Sequence, residues 1–526
     1  MGLARAHAIA LVGVQGHPVE IEADIENGLV ALLLVGLPDT ALREARDRIR
    51  SAIVNSGETW PSRRITVGLS PASLPKRGSG FDIGIATAIL AASEAVPAAG
   101  LRGLVLIGEL GLDGRVRPVP GVLPAAAAAA AAGFDTIVVA TENAAEAALV
   151  TDLRVVAAPR LSAITAWLRG GKHRKDPGVK VLEPGRDSQN SLDGELSASL
   201  AGEGAAGRKD LADLVGQPVA RRAAEICAAG GHHLMLLGPP GVGKTMLAER
   251  IPTVLPRLDP AAALEVSAIH SVAGTLPPGK PLVTEPPFCA PHHTATRAAI
   301  VGGGSGIVRP GAASLAHHGC LFLDEAPEFA RDVLDALRQP LESGEVVIAR
   351  AAVTARFPAK FTLILAANPC PCASARLAGG TCACSPTVRR RYLSRLSGPL
   401  LDRVDAKIEF LPVSRAELLS DRAFTEPSAA VAERVRLARE RAAARLAGTP
   451  WRLNAQVPGS ELRRRFSPPG GALAPLERAM DLGSISARGA DRVIRLSWTL
   501  ADLAGSREPR RAEVGYALGL WSGTPQ

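Results

Sequence analysis

The pattern of apolar and polar positions predicts short strands and helices over the first part of the chain. Apolar runs with the length of strands occur at residues 8–14, 29–35, 64–69, 104–107 and 136–139. Residues 39–56 and 82–92 are predicted to be helices, and a third helix is delimited by Pro124 at its first position and Gly133 just past its end. These elements predict a compact α+β domain over residues 1–170.

The composition changes twice more along the chain. Residues 171–207 are polar, rich in glycine and serine and carry charges of both signs, which is typical of a linker. Apolar strands return in residues 208–412, where an α/β core is predicted. Residues 413–526 are mostly helical and rich in arginine, and we expect a helical lid whose arginines mostly face solvent.

A glycine-rich loop directly follows the apolar strand at residues 234–237. Its sequence, G-P-P-G-V-G-K-T, fits G-x-x-x-x-G-K-[ST], the phosphate loop of nucleoside triphosphatases. Glycines let backbone N–H groups approach phosphate oxygens, and the following helix adds its positive dipole end. Lys244 is predicted to bind the β- and γ-phosphates of ATP, and the Thr245 hydroxyl to help hold Mg²⁺. The residues expected to contact the nucleotide are Gly238, Pro239, Pro240, Gly241, Val242, Gly243, Lys244, Thr245 and Met246.

Two further strands end in polar residues suited to triphosphate cleavage. Residues 319–323 lead into Asp324, predicted to bind Mg²⁺, and Glu325, predicted to polarise the attacking water. Two surface acids after a core strand are the alternative. Residues 361–367 lead into Asn368, which is predicted to orient the same water. In this order the motifs resemble those of AAA+ ATPases, with a P-loop core and a helical lid.

This resemblance implies roles for two arginines near the γ-phosphate. Arg403, in R-L-S-G-P-L-L-D-R-V-D, fits an arginine finger that reaches the ATP of a neighbouring subunit. A local salt bridge with Asp402 or Asp405 is the alternative. Arg488 starts an amphipathic helix over residues 485–503 and fits a lid residue that closes onto the γ-phosphate, with a solvated arginine on a helix face as the alternative.

Four of the seven cysteines are crowded into C-P-C-x₉-C-A-C: Cys370, Cys372, Cys382 and Cys384. Four thiolates suffice for tetrahedral Zn²⁺. The C-x-C spacing is tighter than the usual C-x₂-C, so free thiols and a redox pair remain alternatives to structural zinc.

Charge and hydrophobicity bound the partners and the compartment. A net charge of +9 and a pI near 9.5 favour polyanionic partners such as nucleic acid. The chain has no uncharged apolar run of about 18 residues that could span a bilayer, and the apolar run near its start is too short for a signal sequence. We expect a soluble, cytoplasmic protein without a membrane partner.

The N-terminal domain resembles the proteolytic domain of Lon-type ATP-dependent proteases, a ribosomal protein S5 domain 2-like fold. The resemblance lies in I-G-E-L-G-L-D-G-R-V-R-P-V-P-G-V-L-P at residues 107–124 and A-G-F-D-T-I-V-V-A-T-E-N at residues 132–143. It puts Gly80 at the nucleophile position, beside Ser79, and Leu123 at the position of the basic partner. A serine without a nearby amine is weakly nucleophilic, so we expect the fold without the peptidase chemistry.

An ordered set of motifs resembles the ComM/YifB family, a magnesium-chelatase-like AAA+ group: G-P-P-G-V-G-K-T, A-P-H-H-T-A, G-C-L-F-L-D-E-A-P-E-F, A-A-N-P-C-P-C and R-L-S-G-P-L-L-D-R-V-D. The resemblance covers nearly the whole chain. It implies a hexameric ring that uses ATP and Mg²⁺ to move single-stranded and branched DNA, with branch migration of recombination intermediates in natural transformation beside recombination proteins. A metal-insertion ATPase and an ATP-dependent protease are the alternatives.

The same resemblance implies a central pore with two basic segments. In this group an insertion equivalent to residues 288–305 projects into the pore, so His292, His293 and Arg297 are candidates for contact with a threaded strand. A predicted hairpin over residues 342–361 is the second candidate. Its basic residues, which would hold phosphates without reading sequence unless the hairpin simply faces solvent, are Arg350, Arg356 and Lys360.

Overall fold

The computed structural model describes residues 2–36, 39–76, 78–170, 178–185, 209–277, 279–304, 308–350, 353–372, 384–422 and 424–523. Cys382 and most of the predicted linker lie outside these ranges. Within them, no helix combines the length and the apolar character needed to cross a bilayer.

The N-terminal region is built on a mixed sheet with the strand order β10-β9-β8-β5-β1-β2-β4-β3, and β6 pairs with β7. Its strands are β1 (Gly2–Val12), β2 (Gln15–Glu26), β3 (Ala31–Val35), β4 (Arg64–Ser70), β5 (Leu104–Leu106), β6 (Glu109–Leu110), β7 (Val116–Arg117), β8 (Thr136–Ala140), β9 (Arg154–Ala158) and β10 (Lys180–Leu182). Its helices are α1 (Asp39–Asn55), α2 (Asp82–Ala92), α3 (Val122–Ala131), α4 (Ala144–Ala147) and α5 (Leu161–Gly170). The predicted α+β character of this region is therefore confirmed, and α2 has the predicted bounds.

Strand β2 was not predicted from apolar runs because it has none. Its buried residues, Val19, Ile21, Ala23 and Ile25, alternate with charged or polar ones. Such alternation with a period of two is what a strand needs when one face packs on the core and the other meets solvent. The strand pairs with both β1 and β4 and lies inside the sheet.

Strand β10 lies within the segment predicted to be a linker. It pairs antiparallel with β9, where Val181 is opposite Val156, and its two apolar side chains are partly buried. The N-terminal sheet therefore extends beyond residue 170.

The second region contains a parallel sheet with the order β12-β13-β16-β11-β17. The strands here are β11 (Leu234–Leu237), β12 (Phe288–Cys289), β13 (Cys320–Leu323), β14 (Glu345–Arg350), β15 (Val353–Pro358), β16 (Thr362–Ala367) and β17 (Ala406–Glu409). Because parallel strands end at one edge, the phosphate loop, Asp324 and Asn368 are brought to the same side of the sheet. Strands β14 and β15 form the predicted hairpin.

Helices surround this sheet and continue into the C-terminal region, as the sequence predicted. They are α6 (Pro218–Gly230), α7 (Lys244–Ala248), α8 (Pro260–Ala273), α9 (Arg297–Val301), α10 (Ala312–Leu315), α11 (Arg331–Ala336), α12 (Arg338–Ser343), α13 (Pro386–Leu393), α14 (Gly398–Leu401), α15 (Arg415–Asp421), α16 (Ser428–Arg445), α17 (Gly459–Arg464), α18 (Ala474–Asp481), α19 (Ala487–Leu503) and α20 (Arg511–Ser522). A single apolar cluster joins the sheet to α16, α19 and α20, so the lid and the core share their interior.

The N-terminal region packs directly against the second region. The Gly121 N–H donates to the Ser271 carbonyl at 3.0 Å, and the Ser271 hydroxyl donates to the buried carboxylate of Glu146. Nearby, Leu123 is buried in a cluster with Ala263 of α8. The N-terminal region is thus fixed to α8 by both polar and apolar contacts.

Candidate nucleotide-binding site

The phosphate loop joins β11 to α7 and has the backbone conformation that anion binding needs. Gly241 and Gly243 have φ of +80° and +98°, a left-handed region that other residues rarely adopt. A Cβ atom at Gly243 would lie 2.8 Å from Leu214 Cδ1, so close packing also requires glycine there. Successive N–H groups in such a loop form a concavity suited to phosphate oxygens.

The Lys244 ammonium is held between the loop and the neighbouring strand. Its Nζ donates to the carbonyls of Gly238 at 2.6 Å and Pro239 at 2.8 Å, and to Asn368 Oδ1 at 3.0 Å. Burial lowers the pKa of Lys244, and the carboxylates of Asp324 and Glu325 oppose that shift. The structure therefore brings three of the predicted catalytic residues to one place.

Thr245 and Asp324 are in direct contact, as expected for two groups that share one ion. The Thr245 hydroxyl donates to Asp324 Oδ2 at 2.7 Å. A hydroxyl and a carboxylate at this separation are oxygen ligands of the kind that Mg²⁺ prefers, so they fit the ion. Both residues line a cavity of about 310 Å³ together with Glu249, Phe322 and Glu325.

Glu325 has an unusual backbone and an unexpected neighbour. Its φ of +51° lies in the left-handed region, which is uncommon for a residue with a side chain and recurs at functional sites. Its Oε2 lies 3.3 Å from Nδ1 of His293, which also lines the phosphate-loop cavity. The sequence had suggested contact with a threaded strand for His293.

Arg403 and Arg488 lie together in another cavity, of about 220 Å³. Among the described residues, this cavity shares no lining residue with the phosphate-loop cavity. Arg403 forms an ion pair with Glu342, a partner that differs from the two acids weighed from sequence. Burial lowers the pKa of Arg403, and the positive charges of Arg492 and Arg488 lower it further. The cavity is therefore a cluster of positive charge.

Comparison with known proteins identifies the family. The model for magnesium chelatase subunit ChlI matches residues 210–418, a second ChlI model matches residues 21–143, and the model of the ChlI C-terminal part matches residues 425–520. Competence protein ComM of Haemophilus influenzae is 40% identical over 99% of this chain and 97% of its own length. The chain belongs to the ComM/YifB family.

Other members of the ComM/YifB family are similar over the same extent. YifB of Escherichia coli is 41% identical over 96% of this chain and 94% of its own, and Rv2897c of Mycobacterium tuberculosis is 50% identical over 98% of both. Membership in this magnesium-chelatase-like AAA+ family implies the use of ATP and Mg²⁺. The contacts of Lys244, Thr245 and Asp324 fit that chemistry.

Three cysteines of this ComM/YifB protein come together just beyond Asn368. The sulfur atoms of Cys370, Cys372 and Cys384 all lie within 4.8 Å of one another, and those of Cys370 and Cys372 are 3.0 Å apart. Cys370 is buried and Cys372 is exposed. Such a group of sulfur atoms fits a thiophilic metal such as zinc.

Two partners in the site had no signal in the sequence of this ComM/YifB protein. Glu342 meets Arg403, and His293 meets Glu325, through contacts between segments far apart in the chain. Neither pair has a characteristic spacing. Only the strand order, which sets β12 beside β13, shows that the chain after β12 passes Glu325.

Proposed function

We propose that this ComM/YifB protein is an ATP-dependent motor that assembles as a ring, of six subunits by resemblance, and moves DNA. The observation that supports it most directly is the separation of Arg403 and Arg488 from the cavity lined by Thr245, Asp324 and Glu325. A protomer would bind nucleotide with its own phosphate loop and offer its arginines to the nucleotide of a neighbour. Hydrolysis would then require the assembled ring.

The neighbourhood of Arg488 and Arg403 bears on which nucleotide Arg488 serves. From sequence we expected Arg488 to close onto the γ-phosphate of its own subunit. Since Arg488 and Arg403 share one cavity, we propose that both act on the same neighbouring γ-phosphate. A pair of guanidinium groups would stabilise the charge that develops there during phosphoryl transfer.

Exposed arginines around the β14–β15 hairpin support a DNA contact. Arg309 pairs through two backbone hydrogen bonds with Gly303, and the Arg350 guanidinium lies beside Gly303, so the insertion and the hairpin present their charge together. Arg356 is engaged by Glu345 at 2.6 Å. Clustered arginines without base-reading partners suit phosphate contacts on single-stranded or branched DNA.

The name of the Haemophilus influenzae relative, a competence protein, supports a specific setting. We propose that this protein acts in the cytoplasm on recombination intermediates and promotes their branch migration during natural transformation, with recombination proteins as partners. The net charge of +9 is consistent with a polyanionic substrate.

For the N-terminal region we propose a Lon-protease-like fold without peptidase chemistry. Ser79 donates its hydroxyl to Glu109, and Lys76 Nζ donates to the carbonyls of Pro71 and of Leu74 at 3.1 Å. Leu123, at the position of the basic partner, is buried against α8. Neither polar group is thus arranged to activate the other.

We also propose a structural Zn²⁺ ion held by Cys370, Cys372 and Cys384, with the Cys382 thiolate expected from sequence as a fourth ligand. The ion would fix the chain that follows the strand bearing Asn368. It would take no part in ATP cleavage.

The function is tested by ATP hydrolysis and strand displacement on three- and four-way DNA junctions, with and without ATP. We expect DNA to stimulate hydrolysis and ATP to be required for displacement. A protein that stays monomeric with ATP, Mg²⁺ and DNA, and cleaves no ATP, would contradict the proposal. Hydrolysis stimulated by a porphyrin-binding partner instead of DNA would favour a metal-insertion ATPase, and casein degradation would favour a protease.

A further inference from the structure

The side chain that faces the Glu325 carboxylate comes from the insertion after β12. His293 Nδ1 lies 3.3 Å from Glu325 Oε2, with one third of the histidine side chain and half of the glutamate side chain exposed. The ring of His292 lies against that of His293, with centroids 4.1 Å apart, and His292 Nδ1 is 2.9 Å from the Thr294 hydroxyl. The imidazole is therefore held in place by its neighbours in the same segment.

The sheet explains why these two residues meet. Strands β12 and β13 are parallel, with Cys289 opposite Leu321, so the chain leaving β12 passes the end of β13 where Glu325 lies. The segment is then anchored by α9, because Ile300 is fully buried in the apolar cluster that also contains Leu323. His293 thus lies on a short span fixed at both ends to the core.

The far end of the insertion touches the hairpin. At Gly302, φ is +97° and a Cβ atom would lie 2.9 Å from Ile348 Cδ1 of β14, so the backbones approach closely. The next residue, Gly303, exchanges backbone hydrogen bonds of 3.0 and 2.9 Å with Arg309. Exposed Arg350 lies beside it, with Nη2 3.8 Å from the position of a Cβ atom on Gly303. One continuous segment therefore connects the Glu325 contact to the basic surface.

We propose that His293 is a positioning residue that restrains Glu325 until DNA binds Arg309 and Arg350. The inference rests on the DNA-motor function. A carboxylate that accepts from an imidazole N–H is turned away from water and is a weaker base. Phosphates bound at the two arginines would favour an arrangement of the insertion in which the contact between His293 and Glu325 is broken, and hydrolysis would follow DNA binding.

The test compares His293→Ala and His293→Gln with wild-type protein in steady-state ATP hydrolysis, with and without single-stranded DNA. Without DNA we expect His293→Ala to hydrolyse ATP about threefold faster than wild type, the size of effect a half-exposed charged contact gives. With saturating DNA the two rates should agree, so the stimulation ratio falls. His293→Gln keeps a donor and should fall between them. The control is His17→Ala, which alters a histidine of β2 in the N-terminal region.

Binding of a fluorescent ADP analogue confirms that each variant is folded. A rate without DNA that is at or below the wild-type rate in both His293 variants overturns the restraint. If DNA fails to stimulate wild-type hydrolysis, the DNA-motor function is wrong, while a faster His293→Ala enzyme still supports the restraint of Glu325. The two failures are therefore distinguishable.

Discussion

The ammonium of Lys244 lies 3.0 Å from the side-chain oxygen of Asn368 across two neighbouring parallel strands. Leu237 is opposite Ala367 in the register of β11 and β16, so both chains leave the sheet edge side by side. A γ-phosphate bound at Lys244 would compete with Asn368 for the same ammonium. The residue predicted to bind phosphate and the residue predicted to orient water are thus coupled through one hydrogen bond.

Replacement of Lys244 should abolish nucleotide binding and turnover together. Lys244→Ala removes the charge predicted to meet the β- and γ-phosphates and leaves Asn368 Oδ1 without its donor. We expect ATP hydrolysis to fall by about a hundredfold or more, the size of effect that loss of one charge-stabilising donor has in enzyme sites. Titration with a fluorescent ATP analogue measures binding. Near-normal affinity in Lys244→Ala would contradict the predicted phosphate contact.

Glu325→Gln should separate binding from cleavage. The amide keeps the size of the side chain but cannot polarise water, so we expect ATP to bind as in wild type and hydrolysis to fall by about a hundredfold or more. Single-turnover hydrolysis and nucleotide affinity are the measurements. If Glu325→Gln turned over at the wild-type rate, another group would have to activate the water.

The sequence predicted those parts of this site that depend on local patterns. The phosphate loop is contiguous, and Asp324 and Asn368 each directly follow an apolar strand, so their positions could be inferred from strand ends. The roles assigned to these residues remain predictions. What the structure adds is their contact: Thr245 with Asp324, and Lys244 with Asn368.

Contacts between distant segments could not be predicted from one sequence. Arg403 was weighed against acids adjacent in the chain, but it pairs with Glu342 beyond α12, and Asp405 is taken by Arg492. Strand β2 was missed for a different reason, because its alternating pattern lacks an apolar run. Local periodicity thus identified most elements, whereas their long-range partners required the fold.

Arg403 should act on the nucleotide of a neighbouring subunit. Alone, Arg403→Ala should bind ATP normally and hydrolyse it about 10³-fold more slowly, as expected when an arginine finger is lost. Mixed with inactive Lys244→Ala subunits, it should regain activity. The reason is that some interfaces then combine an intact phosphate loop from Arg403→Ala with an intact Arg403 from Lys244→Ala.

Hydrolysis measured over a range of mixing ratios, with total protein constant, gives the test. Activity should pass through a maximum at intermediate ratios. The double variant Lys244→Ala with Arg403→Ala is the control, and adding it to either single variant should restore nothing beyond dilution. A mixture of the two single variants that remains as inactive as its components would refute action between subunits.

Arg350 should contribute to DNA affinity by neutralising a phosphate. Arg350→Ala should weaken single-stranded DNA binding to a similar degree for different sequences, and it should reduce the slope of log affinity against log salt by about 0.7. Fluorescence anisotropy at several salt concentrations measures both quantities. Arg452→Ala removes an exposed arginine of the C-terminal region and should leave the slope unchanged. An unchanged slope in Arg350→Ala would remove Arg350 from the DNA contact.

The purified protein should contain about one zinc ion per chain, the stoichiometry of a closed four-thiolate site. Elemental analysis should show loss of the metal in Cys370→Ser and in Cys372→Ser. Cys289→Ser is a matched control because Cys289 is not part of the sulfur cluster among the described residues. Protein with no zinc, purified without chelators, would contradict the site, as would zinc retained in both cluster variants.

Acid should weaken the junction between the core sheet and the C-terminal helices. Burial acts to raise the pKa of Asp405, but Arg492 of α19 and the adjacent histidines outweigh it and hold that pKa well below its usual range. Burial also lowers the pKa of His233 to about 4, and its Nδ1 accepts the Leu363 N–H at 3.0 Å. Both groups therefore contribute more stability at neutral than at acidic pH.

The sign follows from which state binds the proton first. An unfolded chain protonates His233 near pH 6.5, whereas the folded protein resists protonation until about pH 4, so stability falls across this window. The Asp405 contribution is lost at still lower pH. Urea unfolding between pH 8 and pH 4 should show this decline, and His233→Asn, which cannot titrate, should flatten it. His17→Asn on β2 should keep the wild-type slope, and an equally steep decline in His233→Asn would exclude His233 as its source.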